Sequence, residues 1–381
     1  MIIPECFLCA LCERILPAFL SASLLSSGGA SWRRQPDYDT MPGVIETPDF
    51  DVVIVAFNDA ETLPACLAAV EALNPKPCRL VVVDNASSDD SADIARNAGA
   101  EVLSLEENTG FAGGMNRGIE TTNAPWVLLL NPDCAPEPDC VTQLLHEIHA
   151  RPQADEIGSA TGLLIRARGA NLVSTKTVDA AGMVVTPSGR HFDRSAGSPQ
   201  EAAPQETAWV FGGTGAATLF RRHALDDVVY PDGQVFPESF FCYREDAELA
   251  WRLQHREWRC LYVPTARALH QRGFRPESGR RGQTWINRHS VKNRFLLRAH
   301  CADVGWHLRC FPFWLIRDLL VVAACLTVET SSLPGLIEAW RQRHDAASRR
   351  RWVLSRATAS SRQVSRWFRR PEGWVKLIND R

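Results

Sequence analysis

Between Asp51 and Leu130 the chain alternates short apolar runs with stretches of helical spacing, and that alternation leaves few folds open. Asp51 to Phe57 is a β-branched run, and Leu63 to Leu73 carries its apolar residues at helical intervals. Leu80 to Val83 is a second run, followed by a helix through Ala98 that Ser87, Ser88 and Asp89 can cap. Glu101 to Leu105, a helix over Ala112 to Thr121 and the run Trp126 to Leu130 continue the series. Strand and helix at this pace predict a parallel sheet with helices on both faces. Ligands of such sheets bind beyond the carboxyl ends of the strands, where Asp84 and Asp133 fall.

The pattern then changes. Residues 151 to 205 are rich in Gly, Ser and Pro and predict a β-hairpin and a mobile loop. Trp209 to Arg221 is Gly-rich and then strand-like, Glu245 to His255 is helical, Arg259 to Val263 is a strand and Trp285 to His300 a helix. On the helix over 245–255, Asp246, Leu249, Ala250 and Leu253 share one face, so an acid opens an otherwise apolar stripe. A carboxylate there is costly to bury without a partner or a task. The helix N-terminus favours its charged form and burial opposes it. A plain capping role is the other reading. His270 stands alone after a strand, as a ligand or as a hydrogen-bonded structural residue.

A chain of 381 residues is ample for one large domain or two modest ones, and 45% apolar with 23% charged residues is ordinary for a globular protein. The net charge of -2 is unevenly spread: residues 341 to 370 hold ten arginines against one acid, Asp345. Such a segment reads either as a surface for anionic lipid or phosphate, or as a solvated tail. No nucleic-acid partner is expected. The twelve cysteines are scattered through a long chain, which fits a reducing compartment rather than a disulfide scaffold. Cys6, Cys9 and Cys12 lack the fourth ligand and following proline of a cluster site.

Ile15 to Leu25 is apolar, but Glu5 and Glu13 spoil a signal-like start, so residues 1–48 are expected to be a poorly ordered extension, with Met41 a candidate start. Arg317 and Asp318 interrupt the apolar segment Phe311 to Val328, and Leu319 to Val328 alone falls short of the roughly 20 residues that span a bilayer. An amphipathic helix lying in a membrane interface, followed by the arginines, accounts for both. A helix packed on the preceding domain is the alternative. The division expected is 49–305 for the α/β domain and 306–381 for a C-terminal amphipathic and basic helical region.

Six pieces, in order, carry a resemblance: Val53 to Asn58, Val82 to Asp89, Asn108 to Gly118, Leu130 to Asp133, Phe240 to Arg252, and His270 to Gly273. Together they resemble the family 2 glycosyltransferases of GT-A fold, especially their non-processive, rhamnosyltransferase-like branch. The resemblance implies a nucleotide-sugar-binding α/β fold with a central, mostly parallel sheet. It implies an inverting, metal-dependent transfer of a sugar, with Asp246 as general base and Glu245 orienting the acceptor or Asp246. Asp133 and His270 would hold Mg²⁺ or Mn²⁺, with Asn131 at the first position of the family's paired-acid motif. Asp84, Ala56 and Asn58 would line the nucleotide pocket, and Asn108, Gly110, Gly113 and Asn116 the nucleotide-sugar loop; a purely structural turn also explains the glycines. Arg252 would reach diphosphate or acceptor phosphate, or form a surface ion pair. Asn293-Arg294 matches a further family element with no chemical role legible in the residues.

The implied donor is dTDP-rhamnose or another nucleotide-diphosphate sugar. The implied acceptor is a lipid-linked glycan or polysaccharide, met at the cytoplasmic face of an inner membrane whose anionic surface takes the C-terminal helix and arginines. A dinucleotide-binding oxidoreductase is excluded, because no Gly-x-Gly-x-x-Gly follows the first strand. A catalytically silent glycan-binding or scaffold protein is the reading from another class.

Overall fold

The computed structural model describes residues 49–272 and 284–368. The expected extension over 1–48 with its three cysteines, and Gly273, Arg369 and Arg370, lie outside the described residues. Strands β1 (Phe50–Ala56), β2 (Arg79–Asp84), β3 (Glu101–Ser104) and β4 (Trp126–Leu130) alternate with helices α1 (Leu63–Glu71), α2 (Ser91–Asn97) and α3 (Gly110–Thr121), as the apolar pattern predicts. The four strands pair in parallel in the order β3-β2-β1-β4. Val52, Ile54 and Ala56 of β1 enter one core layer with α1, while Val53 and Val55 enter another with α3. Burial on both faces is why these strands read as unbroken apolar runs.

Beyond β4 come β5 (Cys134–Pro136), α4 (Cys140–His149), β6 (Ile157–Arg168), β7 (Val173–Ala180), β8 (Met183–Val185), β9 (His191–Asp193), β10 (Ala208–Val210), β11 (Ala217–Arg221) and α5 (Arg222–Val228). Helix α6 (Glu245–His255) and strand β12 (Arg259–His270) follow, then α7 (Thr284–Cys301), α8 (Val304–Cys310), α9 (Phe313–Thr327), α10 (Leu333–Arg341), α11 (Arg343–Arg356) and α12 (Ser361–Ser365). From β4 the sheet continues through β11, β6, β12 and β10. Strands β6 and β12 run with β1, while β11, β10, β5 and β7 run against it, so the sheet is mostly parallel.

Two expectations change. Residues 151–205 hold two hairpins where one was expected: β6 and β7 form the first and β8 and β9 the second. Strand β12 does not stop at Val263 but resumes after an irregularity between Val263 and Arg267 and runs to His270. Pro264 sits at that irregularity, and a proline inside a strand reads as its end unless a bulge receives it.

Helix α6 is buried all round. Leu249 and Leu253 pack toward the sheet, while Ala247, Ala250 and Trp251 pack against Leu296, Trp306, Ala346 and Phe368. This last cluster runs across position 305, so the C-terminal helices share a core with the α/β domain. Polar residues on α6 therefore need internal partners. Arg252 is 1% exposed and donates to Glu248 Oε2 (2.9 Å) and to the carbonyls of Val228 and Val235. Burial works against Glu248, but Arg252 and His300 outweigh it and hold that carboxyl down at about 2. Arg252 is thus a core residue, which corrects its expected place at the donor or acceptor phosphate.

The Arg252 guanidinium lies 4.4 Å from the Tyr230 ring centroid, and Arg349 of α11 lies 4.5 Å from the same ring. Arg349 also bonds Asp232 at 2.8 Å, and Arg350 and Arg356 reach Ala302 and Asp227. Part of the arginine-rich segment is docked on the domain rather than turned to solvent. In α9 only Cys325 is buried, and Leu319 and Leu326 are each 61% exposed. No single described helix is long and apolar enough to cross a membrane; α8 and α9 together pass by length and composition but are bent by 82°.

Arg349→Ala removes one cation from the Tyr230 ring and two partly exposed ion pairs. It is expected to cost about 1–2 kcal/mol. Hydrogen exchange should rise over residues 343–356 before the sheet is affected.

Candidate active site

Strand β4 delivers the first acid. After Leu130 the Asn131 N–H donates to Ala216 O (2.9 Å) and the Cys134 N–H to Asn131 O (3.1 Å), which turns the chain into β5. Strand β5 pairs antiparallel with the end of β12, setting Cys134 opposite His270, and Gln271 N donates to Asp133 O at 2.8 Å. The side chains then meet: His270 Nε2 is 3.3 Å from Asp133 Oδ1. On its other side His270 Nδ1 is 2.7 Å from Asp179 Oδ2. Asp179 also pairs with Arg272 (3.1 Å) and Arg166 (3.5 Å), and Arg272 reaches Asp193 at 2.7 Å. Burial disfavours a charged His270, but its bonds to Asp133 and Asp179 outweigh that and push it up to about 9.

Asp179, Asp193, Arg166 and Arg272 had no assigned role in the sequence. The one legible sign was an acid inside the small apolar stretch Val178-Asp179-Ala180-Ala181. The others acquire meaning only through pairing across β6, β7 and β12. Asp59, also unassigned, lies close enough to feel Asp133. Burial pushes its carboxyl up to about 6, against a bond from the Phe57 N–H and with the charges of Asp133 and Asp89 adding to it.

The second acid is fixed from the same turn. Asp246 Oδ2 accepts from Gly215 N (3.2 Å) and Oδ1 from Ala247 N (2.7 Å). Gly215 precedes Ala216, whose carbonyl holds Asn131, so Asp133 and Asp246 hang from neighbouring points of one loop pair. Burial and the charge of Asp193 raise the proton affinity of Asp246. Glu245 is 6% exposed, its Oε2 has no partner, and burial and the Asp246 charge raise it too.

The approach to α6 is a strained loop, with φ of 64°, 67° and 76° at Phe241, Tyr243 and Arg244. Asn293 of α7 holds it by donating Nδ2 to the carbonyls of Phe240 (2.9 Å), Cys242 (2.8 Å) and Tyr243 (2.7 Å). That is the physical role of Asn293 that the sequence alone could not supply. Gly110 abuts the same loop: at φ +73° a Cβ there would sit 2.4 Å from Phe241 O.

The expected donor residues gather at the carboxyl ends of β1 and β2. Ala56 O accepts from Asn85 N (2.8 Å), Asp84 Oδ1 from Ser87 N (3.1 Å), and Asn58 Oδ1 from Ser88 N (2.8 Å). Asn85 bonds Asn108 Oδ1, Thr109 N and Gly110 O, and Asn108 Oδ1 accepts from Gly110 N at 2.8 Å. Gly113 packs on Thr109, where a Cβ would lie 2.6 Å from Thr109 Cβ. Asn116 departs from its expected place. Its Oδ1 accepts from Val235 N (3.1 Å) and Phe236 N (2.9 Å) and its Nδ2 donates to Phe236 O (2.8 Å), so its amide is spent on fixing that segment.

Among the described residues no three His, Cys, Asp or Glu side chains form a metal-binding group. The Asp133–His270 pair fits a divalent ion that takes its other ligands from substrate and water. Adjacent ligands of an octahedral ion with bonds of roughly 2.1 Å sit about 3 Å apart, and these two atoms are 3.3 Å apart. The carboxylate on the far side of the imidazole is the usual support for a ligating histidine.

Residues 51–229 match the family model described as glycosyl transferase family 2. The chain carries a family 2 glycosyltransferase domain. Among curated relatives, the N-acetylglucosaminyl-diphospho-decaprenol L-rhamnosyltransferase of Mycobacterium tuberculosis is 27% identical over 304 residues, 74% of this chain and 93% of that protein. The poly-beta-1,6-N-acetyl-D-glucosamine synthase of Staphylococcus aureus is 25% identical over 241 residues, 62% of this chain and 52% of that protein. GalNAc-T7, solved with UDP, GalNAc and Mn²⁺, superposes with a TM-score of 0.52 at 15% identity over 72% of this chain and 54% of that one, a likeness of fold alone. The protein is a glycosyltransferase of GT-A fold.

Asn293→Ala leaves three carbonyls of the 240–243 loop without their donor and is expected to cost about 1–3 kcal/mol in chemical denaturation. In this glycosyltransferase it should lower kcat while the KM for donor stays near wild type, since the donor-side bonds are untouched.

Proposed function

We propose that the enzyme moves a sugar from a nucleotide-diphosphate donor to a lipid-linked acceptor, with inversion at the anomeric carbon. The reading is carried by one observation: Asp246, a half-buried carboxyl of raised proton affinity, lies on the same loop pair as Asp133. Asp246 takes the proton of the acceptor hydroxyl as that oxygen attacks the anomeric carbon. The bond from that carbon to the diphosphate oxygen breaks on the opposite face, and the nucleoside diphosphate leaves with the electron pair. A raised proton affinity suits a base that must accept a proton near neutral pH. Glu245 beside it would orient the acceptor.

Asp133 and His270 would hold Mg²⁺ or Mn²⁺, which when bound neutralises charge on the departing diphosphate. Asn131 borders that site, and Ala56, Asn58, Asp84, Asn108, Gly110 and Gly113 would enclose the nucleotide and its sugar. Similarity to the mycobacterial rhamnosyltransferase supports rhamnose as the sugar and a lipid-diphosphate-linked saccharide as the acceptor, in cell-envelope glycan synthesis. The exposed apolar residues of α9 support a seat at the cytoplasmic face of the inner membrane, with exposed Arg341, Arg343 and Arg351 toward anionic headgroups.

Asp246→Asn is expected to lower transfer by about 10²–10⁴-fold without loss of fold. The base must be unprotonated, so wild-type activity should fall as pH drops through a value above the ordinary carboxylate range. Asp193→Asn removes the neighbouring negative charge and should move that acid limb to lower pH. An unmoved limb, or a product of retained anomeric configuration by NMR, would reject this assignment of the base. Co-sedimentation with anionic vesicles should be lost in the double variant Leu319→Glu, Leu326→Glu; binding equal to wild type would reject the membrane seat.

A further inference from the structure

A second polar cluster lies beside α6 and away from the Asp133–His270 pair. Ser290, Arg294 and Arg298 follow one another at intervals of four residues on one face of α7. Arg244, which precedes Glu245 and Asp246, donates its Nε to Ser290 O (3.3 Å), and its Nη1 lies 3.5 Å from His191 Nδ1. The turn between β8 and β9 crosses the same helix face: a Cβ on Gly189 would lie 3.0 Å from Arg298 Cδ. Arg190 follows Gly189, with its guanidinium 4.3 Å from the Phe192 ring centroid. From the other side α9 contributes Arg317 and Asp318, and Asp318 pairs with Arg298.

Arg294 is at the centre. It is 6% exposed and its Nη1 has no hydrogen-bond partner. Burial works against its charge, and Arg244, Arg317 and Arg190 add to that, with Asp318 opposing them. Arginine does not lose its proton under ordinary conditions. A buried cation lacking a bond among other cations costs stability that an apolar side chain of similar volume would not. Its geometry suits one kind of occupant, an anion large enough to reach several guanidinium groups. Arg244 joins the cluster to the candidate base, and α9 joins it to the exposed Leu319 and Leu326.

We infer that Arg294, with Arg190, Arg244 and Arg317, binds the phosphate or diphosphate group of an amphipathic acceptor, between the apolar surface of α9 and the acids at the start of α6. The inference rests on the proposed lipid-linked acceptor and adds where its anionic link is held. The donor diphosphate belongs to the Asp133–His270 end. A diphosphate held by Arg244 puts the sugar it carries next to Asp246, while the lipid leaves along α9.

Farnesyl diphosphate, inorganic pyrophosphate and farnesol are suitable probes for the full-length protein, with binding followed calorimetrically. Wild type should bind farnesyl diphosphate more tightly than pyrophosphate, and farnesol weakly. Arg294→Met should weaken farnesyl diphosphate binding by about tenfold or more, the loss expected for a charge-assisted bond. Arg294→Lys should retain part of it. Binding of the nucleoside diphosphate should be unchanged in both variants. Thermal unfolding separates this from a structural role: without ligand, Arg294→Met should be as stable as wild type or more so. A less stable Arg294→Met that binds farnesyl diphosphate as wild type does would overturn the inference, and pyrophosphate binding equal to farnesyl diphosphate would overturn its lipid half. If sugar transfer to a lipid-linked acceptor proceeds with the same acceptor KM in Arg294→Met, the site fails and the proposed reaction stands. If no such transfer occurs but prenyl diphosphate binding needs Arg294, the site stands and the reaction fails.

Discussion

The arrangement of the site depends on a carboxylate with no access to water. Asp179 is 0% exposed at the end of β7, and an isolated ion there would be prohibitive. Burial raises its proton affinity, but the bond from His270, and then the charges of His270, Arg272 and Arg166, more than reverse this. Because those cations come from β6, from the end of β12 and from the residues after it, satisfying one buried charge locks three segments into register. It also orients the His270 ring so that its other nitrogen faces Asp133. The Asp133–His270 pair at the sheet end is thus held in place from behind, by Asp179.

A second buried charge system supports the other half of the site. Helix α6 must be covered on both faces, and its cover includes α7 and the helices after it. Glu248 and Arg252 neutralise each other inside that sandwich, and the Tyr230 ring between Arg252 and Arg349 ties α11 to the same knot. The first residues of α6 are therefore placed by contacts made more than forty residues later in the chain, with Asn293 acting on the loop that leads into them. The C-terminal helices complete the candidate active site rather than merely following it.

Legibility in the sequence follows from where each signal is encoded. The β1–β4 half of the sheet was readable because strands buried on both faces must be apolar throughout, and their ends then point to Asp84 and Asp133. Helix α6 was readable in extent but not in environment: an apolar stripe on one face looks the same whether the other face meets water or a second layer of helices. Hence Arg252 read as a ligand contact when it is a core cation, and Asn116 as a donor contact when its amide fixes the 235–236 backbone. Strand β12 was cut short because Pro264 marks an end in any local reading. Asp179, Asp193 and Arg272 carry no local signal, since each matters through a partner tens of residues away. The resemblance to a known family named Asp246 and His270, and the structure supplies the reason those side chains are held where they are.

The charges also have an order. From α9 inward they run from an apolar surface to the arginines around Arg294, then to Glu245 and Asp246, then to Asp193 and Arg272, and finally to His270 and Asp133. A transfer between two phosphate-bearing substrates has an electrostatic difficulty that a transfer to a neutral acceptor lacks, because two anions must approach across one reacting carbon. On the proposed reading, separate compensation of each anion removes that difficulty, with arginines on the acceptor side and a cation-favouring pair on the donor side. The proposed base between them, Asp246, would then have to stay unprotonated enough to act and basic enough to take a proton. Burial and Asp193 raise the proton affinity of Asp246, while the bonds from the Ala247 and Gly215 N–H groups and the charge of Arg244 limit the rise. On the proposed reading the Arg294 cluster and the raised Asp246 are two consequences of one requirement. An enzyme acting on a neutral acceptor would have no reason to keep either a buried guanidinium with its Nη1 unbonded or the cations around it.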